Sequence, residues 1–283
     1  MTRGPIAIIT DSSCDIPKEY IATHHIFVLP LHVNMPNGNF LDGVDITPSE
    51  VYKGMPEVIP STSQPSPGDI SDLFQQIKKE GYKEALAVCI SSGLSGTYEV
   101  IKLCAKDEKE LIVHTFDSRR LSMALGLIVM QAVEMNEEGC SIIRIIDSLN
   151  GSRSSTNGFF CIPTLTYLIK GGRIGRVAGT IGTLLGIVPI ISINEEGHYF
   201  TSAKTRSYAI AIKKMVDRVK EIIKDKIADI AVLQGGAIDL AKEIFALFTN
   251  YEGVRNLHFC EISPALGVHT GPGLVGLTYR IIN

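Results

Sequence analysis

The chain has 283 residues, 45% of them apolar, 20% charged and 7% aromatic, with a formal net charge of -3. This is the composition of a globular chain long enough for one large domain or two smaller ones. The basic residues are not clustered, which excludes the electrostatic footprint of a nucleic-acid binder. No uninterrupted apolar stretch approaches the roughly 20 residues that a membrane span needs. The apolar run at residues 6–9 is too short for a signal-peptide core. A cytoplasmic protein with no stable membrane insertion is the expectation. Cys14, Cys89, Cys104, Cys140, Cys161 and Cys260 form no C-x-x-C pair and no metal-type cluster, so reduced structural thiols and no metal are expected.

In chain order, residues 6–10, 85–91 and 111–115 are short β-rich runs, each ending in a polar turn. Helical patterns follow at 17–23, 95–105 and 121–137. Repetition of strand, turn and helix predicts a Rossmann-like parallel sheet with flanking helices over residues 1–154. Two more helices declare themselves through their first turns. Thr47-Pro48-Ser49-Glu50 carries a capping Thr, a Pro and a Glu three residues on, and Ser66-Pro67-Gly68-Asp69 repeats the device with Asp for Glu. Beyond a Ser/Asn-rich boundary at 152–156 the pattern changes. Residues 158–162, 187–193, 199–203, 230–234, 257–262 and 274–281 read as strands, with Glu195-Glu196-Gly197 joining two of them as a hairpin. Helices fit 207–224 and 238–249. The expectation is an α/β protein whose second domain, 155–283, has a mixed or antiparallel sheet with helices and packs closely on the first.

Several loops carry possible chemistry. Thr10-Asp11-Ser12-Ser13-Cys14-Asp15 follows the first strand, where open α/β sheets place ligands; taken alone it reads better as an Asx turn capping the next helix. Ser61, Thr62 and Ser63 stand between prolines as a stiff loop of neutral hydroxyls, and only Ser66 is needed to cap the helix that follows. Ser91-Ser92-Gly93-Leu94-Ser95-Gly96-Thr97 leaves a strand, turns on glycines and enters a helix, an arrangement that suits a small anion such as a carboxylate. It lacks the lysine of a P-loop. Asp117 could orient these loops or cap the next helix. Lys170-Gly171-Gly172-Arg173 ends a helix on glycines and displays a basic loop, and Lys204 and Arg206 form a second basic pair. His269 lies in a glycine-rich loop before the last strand.

Six motifs together are more specific than any one. T-D-S-S-C-D, S-T-S-Q-P-S, S-S-G-L-S-G-T, F-D-S, L-I-K-G-G-R-I and V-H-T-G-P-G run from Thr10 to Gly273 in the order and approximate spacing of the DegV family, which the chain resembles over nearly its whole length. The resemblance implies the two-domain EDD fold with a long-chain, palmitate-like fatty acid lying between the domains. It implies that Thr62, His269 and Ser95, or Ser92 in its place, hold the carboxylate, with Ser61, Ser63, Gly93 and Gly96 in the surrounding loops. It further implies a non-enzymatic bacterial subunit that presents the carboxylate to a separate ATP-binding fatty acid kinase subunit, giving an acyl phosphate for phospholipid synthesis. Arg173 and Arg206 are then contacts to that partner or to the phosphate, outside the carboxylate site.

The residues themselves agree with that division of labour, since the chain has neither a Walker A motif nor the protein-kinase set. No cofactor is expected. Two rivals stand beside it. Ser95, Asp117 and His269 occur in the order of an α/β-hydrolase triad, although Thr97 replaces the last glycine of G-x-S-x-G. The same helix N-termini could also serve a regulatory protein that binds a nucleotide or another small anion.

Overall fold

The computed structural model describes residues 4–180 and 186–282. In its first half it runs Ala7–Asp11 (β1), Lys18–Thr23 (α1), Phe27–Leu29 (β2), His32–Met35 (β3), Gly38–Leu41 (β4), Pro48–Lys53 (α2), Ser61–Ser63 (β5) and Pro67–Lys79 (α3). Glu84–Cys89 (β6), Thr97–Asp107 (α4), Ile112–Asp117 (β7), Ser122–Glu137 (α5) and Ile142–Ser155 (α6) follow. The remainder is Thr156–Cys161 (β8), Thr166–Lys170 (α7), Val188–Ile193 (β9), Tyr199–Thr205 (β10), Tyr208–Ile223 (α8), Ile227–Gly235 (β11), Ile238–Ala246 (α9), Val254–Glu261 (β12), Pro264–Thr270 (α10) and Leu274–Ile282 (β13).

The first sheet has four parallel strands in the order β2-β1-β6-β7. Helices α3 and α4 cover one face through Ile70, Phe74, Ile77 and Ile101. A second sheet of six strands has the order β10-β9-β8-β13-β11-β12. Only β11 and β12 pair in parallel, so the sheet is mixed as the strand and helix spacing predicts. Helices α8 and α9 bury Met215, Val219 and Ile244 on its outer face.

Helix α5 joins the two sheets. Of its 16 residues, 12 are buried, and its sequence is apolar on every side rather than along one stripe. Such a helix needs neighbours all round. It packs with Ile8 and Leu86 of the first sheet and with Ala231, Leu233 and Leu274 of the second, in one continuous core. Helix α6 stands beside it, with Ile145 and Leu149 buried. The Ser/Asn-rich stretch at 152–156 spans the end of that helix and the start of β8. Ser152 is in the last turns of α6, its hydroxyl bonded to Gln131 on α5 at 2.5 Å, and β8 begins directly after that helix.

A third sheet, β4-β3-β5, is absent from the pattern reading. The hydroxyl stretch 61–63 is its edge strand and not a loop: Thr62 pairs with Val33, and Ser63 with His32. Strands this short, rich in Ser and flanked by prolines, carry no periodicity to read. Both predicted capping boxes form, Thr47 with Glu50 and Ser66 with Asp69. Cys14, though in a polar loop, turns into the core, and all six cysteines are free.

Because α5 is buried against both sheets, truncating it should loosen both. Leu127→Ala is expected to lower unfolding free energy by about 3 kcal/mol. Urea unfolding followed by far-UV circular dichroism and by core tyrosine fluorescence should show one coincident shifted transition. Separate transitions would contradict a shared core.

Candidate functional site

The site begins with a carboxylate at the end of β1. Asp11 accepts hydrogen bonds from the Ser13 amide at 3.1 Å, from the Ser13 hydroxyl, and from the Ile90 amide at 2.7 Å. The first two make the expected Asx turn; the third ties that turn to the strand end that launches the Ser-rich loop. Burial raises the Asp11 carboxyl above its ordinary range.

The Ser-rich loop is locked from two sides. The Ser91 hydroxyl donates to the Gly197 carbonyl at 2.8 Å, joining the loop to the β9–β10 hairpin. A side chain on Gly93 would strike that carbonyl and His198, and one on Gly96 would collide with Gln64 beside β5. At Gly93 the obstacle is another backbone segment, so a side chain there would force the hairpin away. Ser95 pairs its hydroxyl with that of Thr97 at 2.8 Å. Ser92 turns away: its hydroxyl donates to Asp117 at 2.7 Å, its amide donates to the same carboxylate at 3.2 Å, and it is exposed.

His269 is not in a loop. It occupies the last turn of α10, a helix opened by a Ser263 cap and Pro264 but disguised in sequence by Gly267 and Gly271. Gly267 packs closely on Tyr52, and a Cβ there would press on its ring. The His269 Nε2 lies 2.7 Å from the Thr62 hydroxyl. Its Nδ1 is buried with no hydrogen-bond partner among the described residues. Gly171 packs so closely on that nitrogen that any side chain would collide with it. Burial, helped by the positive charge of Arg173, brings the imidazole down to about 4, so it is neutral at physiological pH.

Thr62, Ser63, Gln64, Ser95, Arg173 and His269 line one cavity. Leu121, Tyr199 and Leu266 also line an adjoining cavity, whose walls include Ala124, Phe159, Phe160, Ile193, Leu233 and Ile262. The polar cavity opens at the surface through exposed Ser63 and Gln64, whereas the second is walled mainly by buried apolar side chains between α5, the six-stranded sheet and α10. These lining residues are scattered over the chain, and no local pattern announces them. Gln64, within a quoted motif, was the legible one.

Three sequence expectations change. Arg173 does not stand apart from the polar cavity but lines it, its guanidinium donating to the Gly171 carbonyl at 2.8 Å. Arg206 is exposed just beyond β10, at the opposite end of that strand from Tyr199, roughly 20 Å away at a strand's rise per residue. The two arginines thus belong to different surfaces. Ser95, Asp117 and His269 do not assemble as a triad: His269 bonds Thr62, and Asp117 bonds Ser92 and the Arg119 amide. Among the described residues, no group of three or more His, Cys, Asp or Glu side chains could hold a metal.

Fold and site together define an α/β protein of two large sheets and one small one, with an apolar cavity that adjoins hydroxyls, a neutral histidine and Arg173. A family profile described as "Uncharacterised protein, DegV family" matches residues 5–281, and the chain belongs to the DegV family. A DegV domain-containing protein of Clostridium acetobutylicum is 42% identical, over 96% of this chain and 97% of its own. A DegV family protein from Thermus thermophilus, described for its fatty acid binding, superposes with a TM-score of 0.91 at 27% identity, covering 98% of this chain and 100% of its own. A stearic acid-binding protein from Eubacterium ventriosum does so with a TM-score of 0.88 at 28% identity, covering 98% of each.

The lowered His269 value has a signed consequence. An unfolded histidine titrates near about 6.5. Between that pH and about 4 the unfolded chain binds a proton that the folded one refuses. This contribution to stability is complete above the unfolded value and is lost as pH falls through the window. In a ¹⁵N-edited titration His269 should remain neutral down to about pH 5; an imidazole titrating at its ordinary value would contradict the buried geometry.

Proposed function

We propose that this chain binds a long-chain fatty acid and presents its carboxylate to a separate ATP-binding kinase subunit, which converts it to an acyl phosphate. The carboxylate sits on Thr62 and Ser95 with His269 behind, and the alkyl chain fills the adjoining apolar cavity between the domains, 1–154 and 155–283. The observation that carries this reading is the pairing of each hydroxyl with a second donor. Neutral His269 can give its Nε2 proton to the Thr62 oxygen, and Thr97 can give its hydroxyl proton to Ser95. Both remaining O–H groups are then free to donate to an anion, which is all a carboxylate can use.

Seating the carboxylate on hydroxyls suits presentation. Hydroxyl donors hold the head group without neutralising it, so an oxygen remains able to attack phosphorus. The apolar walls supply affinity: at about 0.8 kcal/mol per buried CH₂, a 16-carbon chain gives on the order of 10 kcal/mol before the losses of binding. Half-buried Arg173 at the mouth is the natural contact for the incoming phosphate, and Arg206 serves as a contact to the partner's surface. Cytoplasmic location and a role in phospholipid synthesis go with this reading. Fatty-acid binding by the Thermus thermophilus and Eubacterium ventriosum proteins supports it.

Native mass spectrometry of the freshly purified protein should show a bound acid, or one should load from palmitate. Thr62→Val and Ser95→Ala are each expected to weaken palmitate roughly tenfold to a hundredfold, from the loss of one hydrogen bond to a charged group. A protein that neither carries nor takes up a fatty acid would sink the proposal.

A further inference from the structure

The loop Thr10–Asp15 and the residue Asp42 have no part in the ligand contacts above, yet their carboxylates reach the helix that carries His269. Asp15 accepts from the Ser263 amide at 2.8 Å and from the Ser122 hydroxyl at the head of α5. Asp42, just past β4, accepts from the Ala265 amide at 2.9 Å and from the Ser12 hydroxyl at 2.6 Å. Ser12 in turn accepts from the Leu31 amide at 2.9 Å. The amides of Ser263 and Ala265 belong to the cap and first turn of α10, donors that no helix can satisfy internally. Asp15 and Asp42 are separated from them by more than 200 residues of chain, and both carboxylates are buried. Asp15 and Ser122 each hold a left-handed backbone, with φ of 53° and 52°. Such conformations persist in non-glycine residues where the surroundings over-determine them.

The underside of α10 settles where those bonds hold it. Ala265 and Val268 pack on Val33 of the small sheet, on Leu31 just before it and on Val51 of α2. The helix has only 7 residues, so a shift at its first turn is carried rigidly to His269 in its last. We propose that Asp15 and Asp42 are positioning residues for the His269–Thr62 pair, fixing α10 by its first amides against the sheet that carries Thr62. They touch no ligand. Their effect on binding passes through the imidazole, which must stand behind the Thr62 hydroxyl if that hydroxyl is to turn its proton outward. This inference deepens the fatty-acid reading and rests on it for the binding consequence, but the placement of the imidazole can be read without any lipid.

The test compares Asp42→Ala with Asp42→Asn. Asparagine keeps a carbonyl oxygen for the Ala265 amide and should preserve palmitate affinity within about threefold, while alanine should weaken it about tenfold or more. In the ligand-free proteins, the ¹⁵N and ¹H signals of the His269 imidazole should move in Asp42→Ala and stay in Asp42→Asn. Loss of thermal stability in Asp42→Ala, with unchanged imidazole signals and unchanged palmitate affinity, would overturn the proposal and leave Asp42 a purely structural residue. If Asp42→Ala does not fold, Ser12→Ala, which removes the other partner of the same carboxylate, decides by the same two measurements. A wild-type protein that binds no palmitate would defeat the fatty-acid reading, while the imidazole signals would still decide the positioning role.

Discussion

Burial of α5 on every side is the constraint from which the rest follows. A helix with no polar face cannot lie on one sheet and show its back to water. Two sheets of different construction, one parallel and one mixed, therefore share it, and their inner faces merge into a single core. The join is closest along the body of the helix. At its N-terminal end, around Leu121, Ser122 and Ala124, the walls part and the apolar cavity opens. A shared central helix thus both binds the two halves and leaves room for a ligand between them.

The polar end of that cavity depends on a second feature, the arrival of late chain segments among early ones. Thr62 stands on a three-residue edge strand and His269 on a seven-residue helix, neither of which would be stable alone. Each is held by the other's scaffold, through apolar contact beneath α10 and carboxylate bonds at its start. Glycines at 93, 96, 171 and 267 are the steric counterpart: each lies where another segment leaves no space for a Cβ. The outcome is a neutral histidine and hydroxyls on rigid supports, with Arg173 lining the same cavity.

Where local order dominates, elements could be read directly. The strand–turn–helix repeats of the first half, both capping boxes and the Glu195-Glu196-Gly197 hairpin all rest on contacts within a few residues, and all are present. What escaped reading is held by distant partners. The strand at 61–63 exists because β3 pairs with it, and α10 because Asp15, Asp42 and the α2 surface receive it. Helix α6 ends in Ser and Asn residues of low helix propensity, and burial of Ile145 and Leu149 keeps it helical.

The same division applies to the site. Sequence motifs by themselves determined the family resemblance and the short list of hydroxyls, glycines and one histidine, because residue identity at fixed spacing is a local property. Tertiary structure alone decided which of them meet. It brought Ser95 rather than Ser92 to the cavity, separated Asp117 from His269, drew Arg173 into the lining and left Arg206 at the far end of a strand. The physical reason is that burial and hydrogen-bond partnership depend on what lies across the fold, and no local spacing records the neighbour supplied by a segment two hundred residues away.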